Sequence, residues 1–138
     1  MISGDQILPR ISSNISVFPT EPEANPLEEW LDSCKHLRET IPDDTLILPA
    51  HNEPFYGVRA RMTQLIDDHE GGMEKIRELC ATPKRAVQVF PALFRTKITA
   101  GNYGMATGES LAHLNCMLAR GTLSRKRDEN GVDWYQAV

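Results

Sequence analysis

One apolar stripe does most to limit what this chain can become. Met62, Leu65, Ile66, His69, Met73, Ile76 and Leu79 recur at three- and four-residue spacing, which predicts an amphipathic helix from about Val58 to Cys80. At 1.5 Å per residue such a rod is roughly 35 Å long, the natural bridge between two modules. Gly71-Gly72 falls near its middle, where each glycine costs roughly 1 kcal/mol against alanine. A kink or break is expected there. The chain is therefore divided into 1–80 and 81–138.

Charge is divided too. Residues 1–70 carry 13 acidic and 5 basic side chains, residues 71–138 carry 6 and 10, and the whole is −4. An acidic front and a basic back agree with two modules, but do not by themselves define a nucleic-acid site. With 41% hydrophobic and 25% charged residues the composition is that of a folded globular chain. No apolar run approaches the roughly 18 to 20 residues that span a bilayer. Met1-Ile2-Ser3-Gly4-Asp5 has neither the basic nor the apolar stretch of a signal peptide, so the expectation is a cytoplasmic protein without membrane partners. Cys34, Cys80 and Cys116 are odd in number, far apart and in helical segments. They are expected as buried free thiols rather than a disulfide or a zinc site.

In the first module, Ile7-Leu8-Pro9 and Ile15 to Phe18 read as short extended stretches. Pro19, Pro22 and Pro26 then suppress regular structure between them. Asn25 followed by Pro26 is a helix start, a capping side chain with proline at the first helical position. Leu27, Trp30, Leu31, Cys34 and Leu37 carry a helix over 26–40. Thr45-Leu46-Ile47-Leu48-Pro49 is a continuous apolar run bounded by turn residues, predicted as a buried strand.

The second module has another rhythm. Thr82-Pro83 starts a short helix with Ala86, Val87, Val89 and Phe90 on its apolar face. Met105 to Arg120 follows as a longer helix, stopped by Gly121. Leu123 to Arg127 and Val132 to Tyr135 are strands joined by Asp128-Glu129-Asn130-Gly131, a hairpin turn. Helix, helix, hairpin is the plan of a winged helix. The fold class is α+β.

Chemistry has few places to reside. His51 follows the apolar run in Ala50-His51-Asn52-Glu53-Pro54, with Pro49 and Pro54 stiffening its approach. A loop at a strand's C-terminal end is where open α/β sheets place their ligands, and histidine there suits a metal or a general base. A plain solvated loop histidine is the alternative. Asp5, after Ser3-Gly4, is either a metal ligand or a turn aspartate. His36, His69 and His113 lie within helices and are expected to be structural. Arg125-Lys126-Arg127 on the second hairpin is a weak candidate for phosphate contacts; edge-protecting charge explains it equally. The helix from Met105 to Arg120 has one basic residue, which argues against groove reading.

Ser3-Gly4-Asp5-Gln6-Ile7-Leu8-Pro9 and, later, Leu48-Pro49-Ala50-His51-Asn52-Glu53-Pro54 together resemble the second half of the metallo-β-lactamase superfamily. The resemblance runs over essentially the whole chain and points to the β-lactamase-like branch with its winged-helix C-terminal domain. It implies part of an αββα sandwich in residues 1–80 and a winged helix in 81–138. It implies zinc, two ions in the intact family, with Asp5 bridging them and His51 holding the second. It implies hydrolysis of a small-molecule ester, thioester, lactone or phosphodiester. The family's H-x-H-x-D-H motif precedes the aspartate, and here only four residues do. The expectation is a C-terminal fragment of a hydrolase that is inactive alone.

Two further roles compete. A winged-helix nucleic-acid module is the less favoured. A self-associating piece is the other: shorn of its sandwich, the front module would expose the apolar faces of helix 26–40 and strand 45–49, so a homo-oligomer is expected.

Overall fold

A computed structural model describes residues 1–138. In chain order it contains β1 (Ile2–Gly4), α1 (Pro26–Thr40), β2 (Leu48–Pro49), α2 (Val58–Leu79), a short 3-10 helix (Ala86–Val89), α3 (Phe90–Leu93), α4 (Tyr103–Ala119), β3 (Leu123–Arg127) and β4 (Asp133–Ala137). No helix is long and apolar enough to cross a membrane. Two compact units divide these elements, 1–14 with 29–69 and 15–28 with 70–138. The helices α1 and α2 each give residues to both.

In the first unit β1 and β2 form a two-stranded parallel sheet, Ile2 opposite Leu48 and Gly4 opposite Pro49. The predicted strand 45–49 is shorter than its apolar run. Ile47 is fully buried and bridges Phe55, whereas Leu46 and Leu48 are 40% and 39% exposed. One inward residue in the run limits the strand to a stub. Trp30, Leu31 and Cys34 of α1 and Val58, Met62, Leu65 and Ile66 of α2 are buried. The expected exposure of the α1 apolar face is thus corrected, because these side chains, with Leu27, lie within the core. Ile7 and Leu8 are buried as well, but in irregular loop rather than strand.

The second unit opens at the α1 start. Asn25 Oδ1 accepts the Glu28 amide at 3.4 Å, the cap that the sequence announces. The helix α2 runs without interruption through Gly71-Gly72. A Cβ on Gly72 would meet Leu93 Cδ2 at 3.0 Å, so the glycine serves close approach rather than a kink. The α3 region starts later than Thr82-Pro83 suggests. Arg85 precedes a 3-10 turn, its amide donating to Gln88 Oε1 at 2.8 Å, and Pro91 stands at the first helical positions of α3.

The helix α4 is buried along most of its middle, from Ala112 to Met117. It stops at Gly121, φ +71°. There the Gly121 amide donates to Leu118 O and the Thr122 amide to Met117 O, both at 3.0 Å, closing the helix end with a left-handed residue. The strands β3 and β4 pair antiparallel, Leu123 opposite Ala137 through Arg127 opposite Asp133. All three cysteines are free and buried.

Candidate functional site

The parallel sheet sets the geometry. The Leu48 amide donates to Met1 O at 2.8 Å and the Ala50 amide to Gly4 O at 3.0 Å, so β1 and β2 end side by side. Each is followed by a candidate ligand. Gly4, at φ +54°, turns the chain into Asp5, and Asn52, at φ +68°, turns it away from His51. Glycine enters this left-handed region freely and asparagine more readily than most residues. His51 Nε2 consequently lies 3.4 Å from Asp5 Oδ1, with side chains 64% and 65% exposed.

Two ligands bound at zinc distances in a tetrahedral arrangement are separated by about 3.3–3.6 Å. The spacing of Asp5 and His51 fits two ligands of one ion. No group of three or more His, Cys, Asp or Glu side chains gathers to hold a metal. The neighbouring carboxylate, Glu53, accepts Arg10 Nε at 2.9 Å. Its own backbone hydrogen bond and Arg10 hold its carboxyl below the usual range.

Around the pair lies a set of hydrogen bonds that the motifs do not announce. Ser3 Oγ donates to Ile7 O at 3.0 Å, Ser13 Oγ donates to the carbonyl of Asp5 itself, and Gln6 Nε2 donates to Cys34 Sγ at 3.7 Å. From α2, Arg61 Nε donates to Leu8 O at 2.6 Å and Nη2 to Ile11 O at 2.9 Å. His69 Nε2 lies 2.8 Å from Ser12 Oγ, and its ring meets Trp30 edge-on at 5.0 Å. Burial pushes its pKa down to about 4. One signal was legible for Arg61: it occupies a core-facing position of the stripe between Val58 and Leu65, where a charge needs a specific partner.

The other histidines stand apart, His36 exposed on α1 and His113 buried in α4 with Nδ1 2.9 Å from Glu109 O. The basic triplet is distributed over both sides of β3. Arg125 is bidentate to Glu23 at 3.0 Å, and Arg127 to Asp133 at 2.8 Å. Lys126 lines a cavity of about 370 Å³ with Pro83, Asp128 and Trp134.

Similarity to known proteins covers the chain as follows. Residues 73–138 match the family model described as "Metallo-beta-lactamase-like, C-terminal domain". The chain is 26% identical over 140 residues to "Probable metallo-hydrolase YqjP" of Bacillus subtilis (strain 168), covering 96% of this chain and 42% of that protein. Among solved structures, a beta-lactamase domain protein from Burkholderia ambifaria is 44% identical with a TM-score of 0.94, covering 99% of this chain and 41% of its own. A metallo-beta-lactamase family protein from Thermus thermophilus is 26% identical with a TM-score of 0.82, again with 99% and 41% coverage. The chain spans about two fifths of the length of the relatives it matches. Over residues 73–138 the chain is thus similar to the C-terminal domain of metallo-beta-lactamase-like proteins.

Proposed function

We propose that this chain supplies part of the metal site of a metal-dependent hydrolase, with Asp5 and His51 as ligands. The observation that carries this reading is the 3.4 Å approach of His51 Nε2 to Asp5 Oδ1 at the ends of two parallel strands. The name of the Bacillus relative, a metallo-hydrolase, supports the reaction class. Zinc suits one carboxylate and one imidazole. Bound there, it would supply Lewis-acid activation of a carbonyl or phosphoryl oxygen and of a water.

The chain's own residues have the task of holding ligands. Asp5 would serve as a metal ligand through its carboxylate, and His51 would do so through Nε2. A zinc site takes three or four protein ligands, and this pair provides two, so the expected behaviour of the chain alone is metal binding without turnover of an ester, thioester, lactone or phosphodiester. Residues 81–138, two helical segments and a hairpin, form a winged-helix-like module that follows the ligand-bearing module 1–80. Three free buried cysteines suit a reducing, cytoplasmic setting.

One observation favours self-association as a second property. Ile2, at 83% exposed, lies with the half-exposed Leu46 and Leu48 on and beside the two-stranded sheet, an apolar surface prone to pair with another copy. Nucleic-acid binding through β3 is disfavoured, because Glu23 and Asp133 already take Arg125 and Arg127.

Cobalt(II) titration tests the ligand assignment. Visible absorption bands that saturate with wild-type protein should be lost in Asp5→Asn and in His51→Ala. Bands that persist in both variants would remove these residues from the site.

A further inference from the structure

Arg61 is a buried cation with no carboxylate against it. It is 9% exposed, burial pushes its guanidinium below its usual range, and only the field of Asp68 opposes that. Burying a charge in this way is costly unless its donors are used. Two of its three bonds hold one loop, and the third steadies the guanidinium on its own helix. Nε reaches Leu8 O at 2.6 Å, Nη2 reaches Ile11 O at 2.9 Å, and Nη1 is turned to Gln64 Oε1 at 2.7 Å. The carbonyls belong to a loop that would otherwise be free of ladder partners. One turn pair further along α2, His69 holds Ser12 at 2.8 Å. The same loop begins at Asp5, whose carbonyl accepts Ser13 Oγ, and includes Arg10, whose ion pair reaches Glu53 in the His51 loop.

We propose that Arg61 is a positioning residue for the Asp5–His51 pair, clamping residues 6–14 onto α2 so that both ends of the loop present Asp5 toward His51. This rests on the reading of Asp5 and His51 as metal ligands. A planar fork is required because two carbonyls three residues apart must be met at once, and a lysine ammonium can satisfy only part of that arrangement. His69 and Ser13 complete the clamp at the loop's far end. Residues that orient metal ligands from behind typically change metal affinity about 10- to 100-fold when altered.

The test compares Arg61→Lys with wild type by cobalt(II) titration, with circular dichroism to verify helix content. The clamp predicts a dissociation constant raised about tenfold or more while α1, α2 and α4 remain folded. A purely structural arginine would lower the melting temperature and leave the dissociation constant unchanged, which would overturn the proposal. Should Arg61→Lys fail to fold, Gln64→Ala keeps the cation and loosens one side of its fork. It should weaken cobalt binding by about threefold, a fraction of the tenfold expected for losing the fork, and wild-type affinity there would overturn the clamp equally. Should the wild-type chain take no cobalt, the metal reading fails and the clamp is judged by amide exchange. Exchange over residues 5–14 should then rise on the order of tenfold in the folded variant, and an unchanged pattern would overturn the clamp.

Discussion

Arg120, at the end of α4, closes on Glu28, 92 residues earlier, with Nε 2.6 Å from Oε2 and Nη2 2.9 Å from Oε1. Its remaining nitrogen, Nη1, lies 2.8 Å from Glu70 Oε2. The two carboxylates raise the Arg120 pKa, and Cys116 donates its thiol to Glu28 at 3.1 Å. One guanidinium thus ties the start of α1, the middle of α2 and the end of α4 within the second unit. Arg120→Ala leaves two carboxylates facing each other without their cation. Because all three groups are partly exposed, the expected loss is about 1–2 kcal/mol rather than the larger cost of breaking a fully buried pair. Urea unfolding at neutral pH measures it, and a loss below a few tenths would make the triad ornamental to stability.

His69 gives the chain an acid limb. Its pKa is pushed from 6.5 to about 4 by burial, so the unfolded chain takes up a proton that the folded one refuses. The stabilisation is intact above about pH 6.5 and is lost as pH falls through 4, with a ceiling of about 3 kcal/mol. In His69→Gln the difference in unfolding free energy between pH 7.5 and pH 4.5 should shrink against wild type. An identical pH dependence in both proteins would remove His69 from the effect.

Glu109 acts with the opposite sign. Burial raises its carboxyl from 4.5 to about 7, so the folded chain holds a proton that the unfolded one releases. Its contribution is present below about pH 4.5 and is lost as pH rises through 7. Glu109→Gln should therefore gain about 1–2 kcal/mol at pH 8.5 and almost nothing at pH 5. Equal gains at both values would point to packing instead of titration.

Gly108 is fixed by space. A Cβ there would meet Ser16 Cβ and Oγ at 3.0 Å and Val17 O at 3.1 Å, and the Val17 amide already donates to Gly108 O at 3.0 Å. The carbonyl cannot rotate away without breaking that bond. Despite alanine's better helix propensity, Gly108→Ala should cost about 1–3 kcal/mol, read as a lower melting temperature. An unchanged or raised midpoint would show that the 15–18 segment yields.

The parts of this fold that a sequence announces are those fixed by local chemistry. Asn25 and Pro26 start α1, Gly121 ends α4, and Asp128 to Gly131 turns the hairpin, with Gly131 at φ +78°, because a cap or turn is decided within a few residues. What depends on distant partners was less visible. Gly71-Gly72 looked like a break because the side chain of Leu93 beside Gly72 is far along the chain. The pairing of Ile2 with Leu48 joins distant segments in a parallel register that no hairpin signal marks. At the candidate site, Asp5 and His51 were visible through their motifs and strand-end positions. Arg61 was concealed in a helix stripe, where charge alone does not show which carbonyls it meets.

Whether Asp5 and His51 share a metal ion is read from histidine NMR during zinc(II) titration. His36 is exposed on α1 and belongs to no group of three or more ligand side chains, so it reports adventitious binding in the same spectrum. A shared ion moves the His51 ring signals at zinc concentrations that leave His36 in place, and Asp5→Asn abolishes this preference. If His51 and His36 respond together, or if His51 responds equally well without the Asp5 carboxylate, the pair is not a metal site.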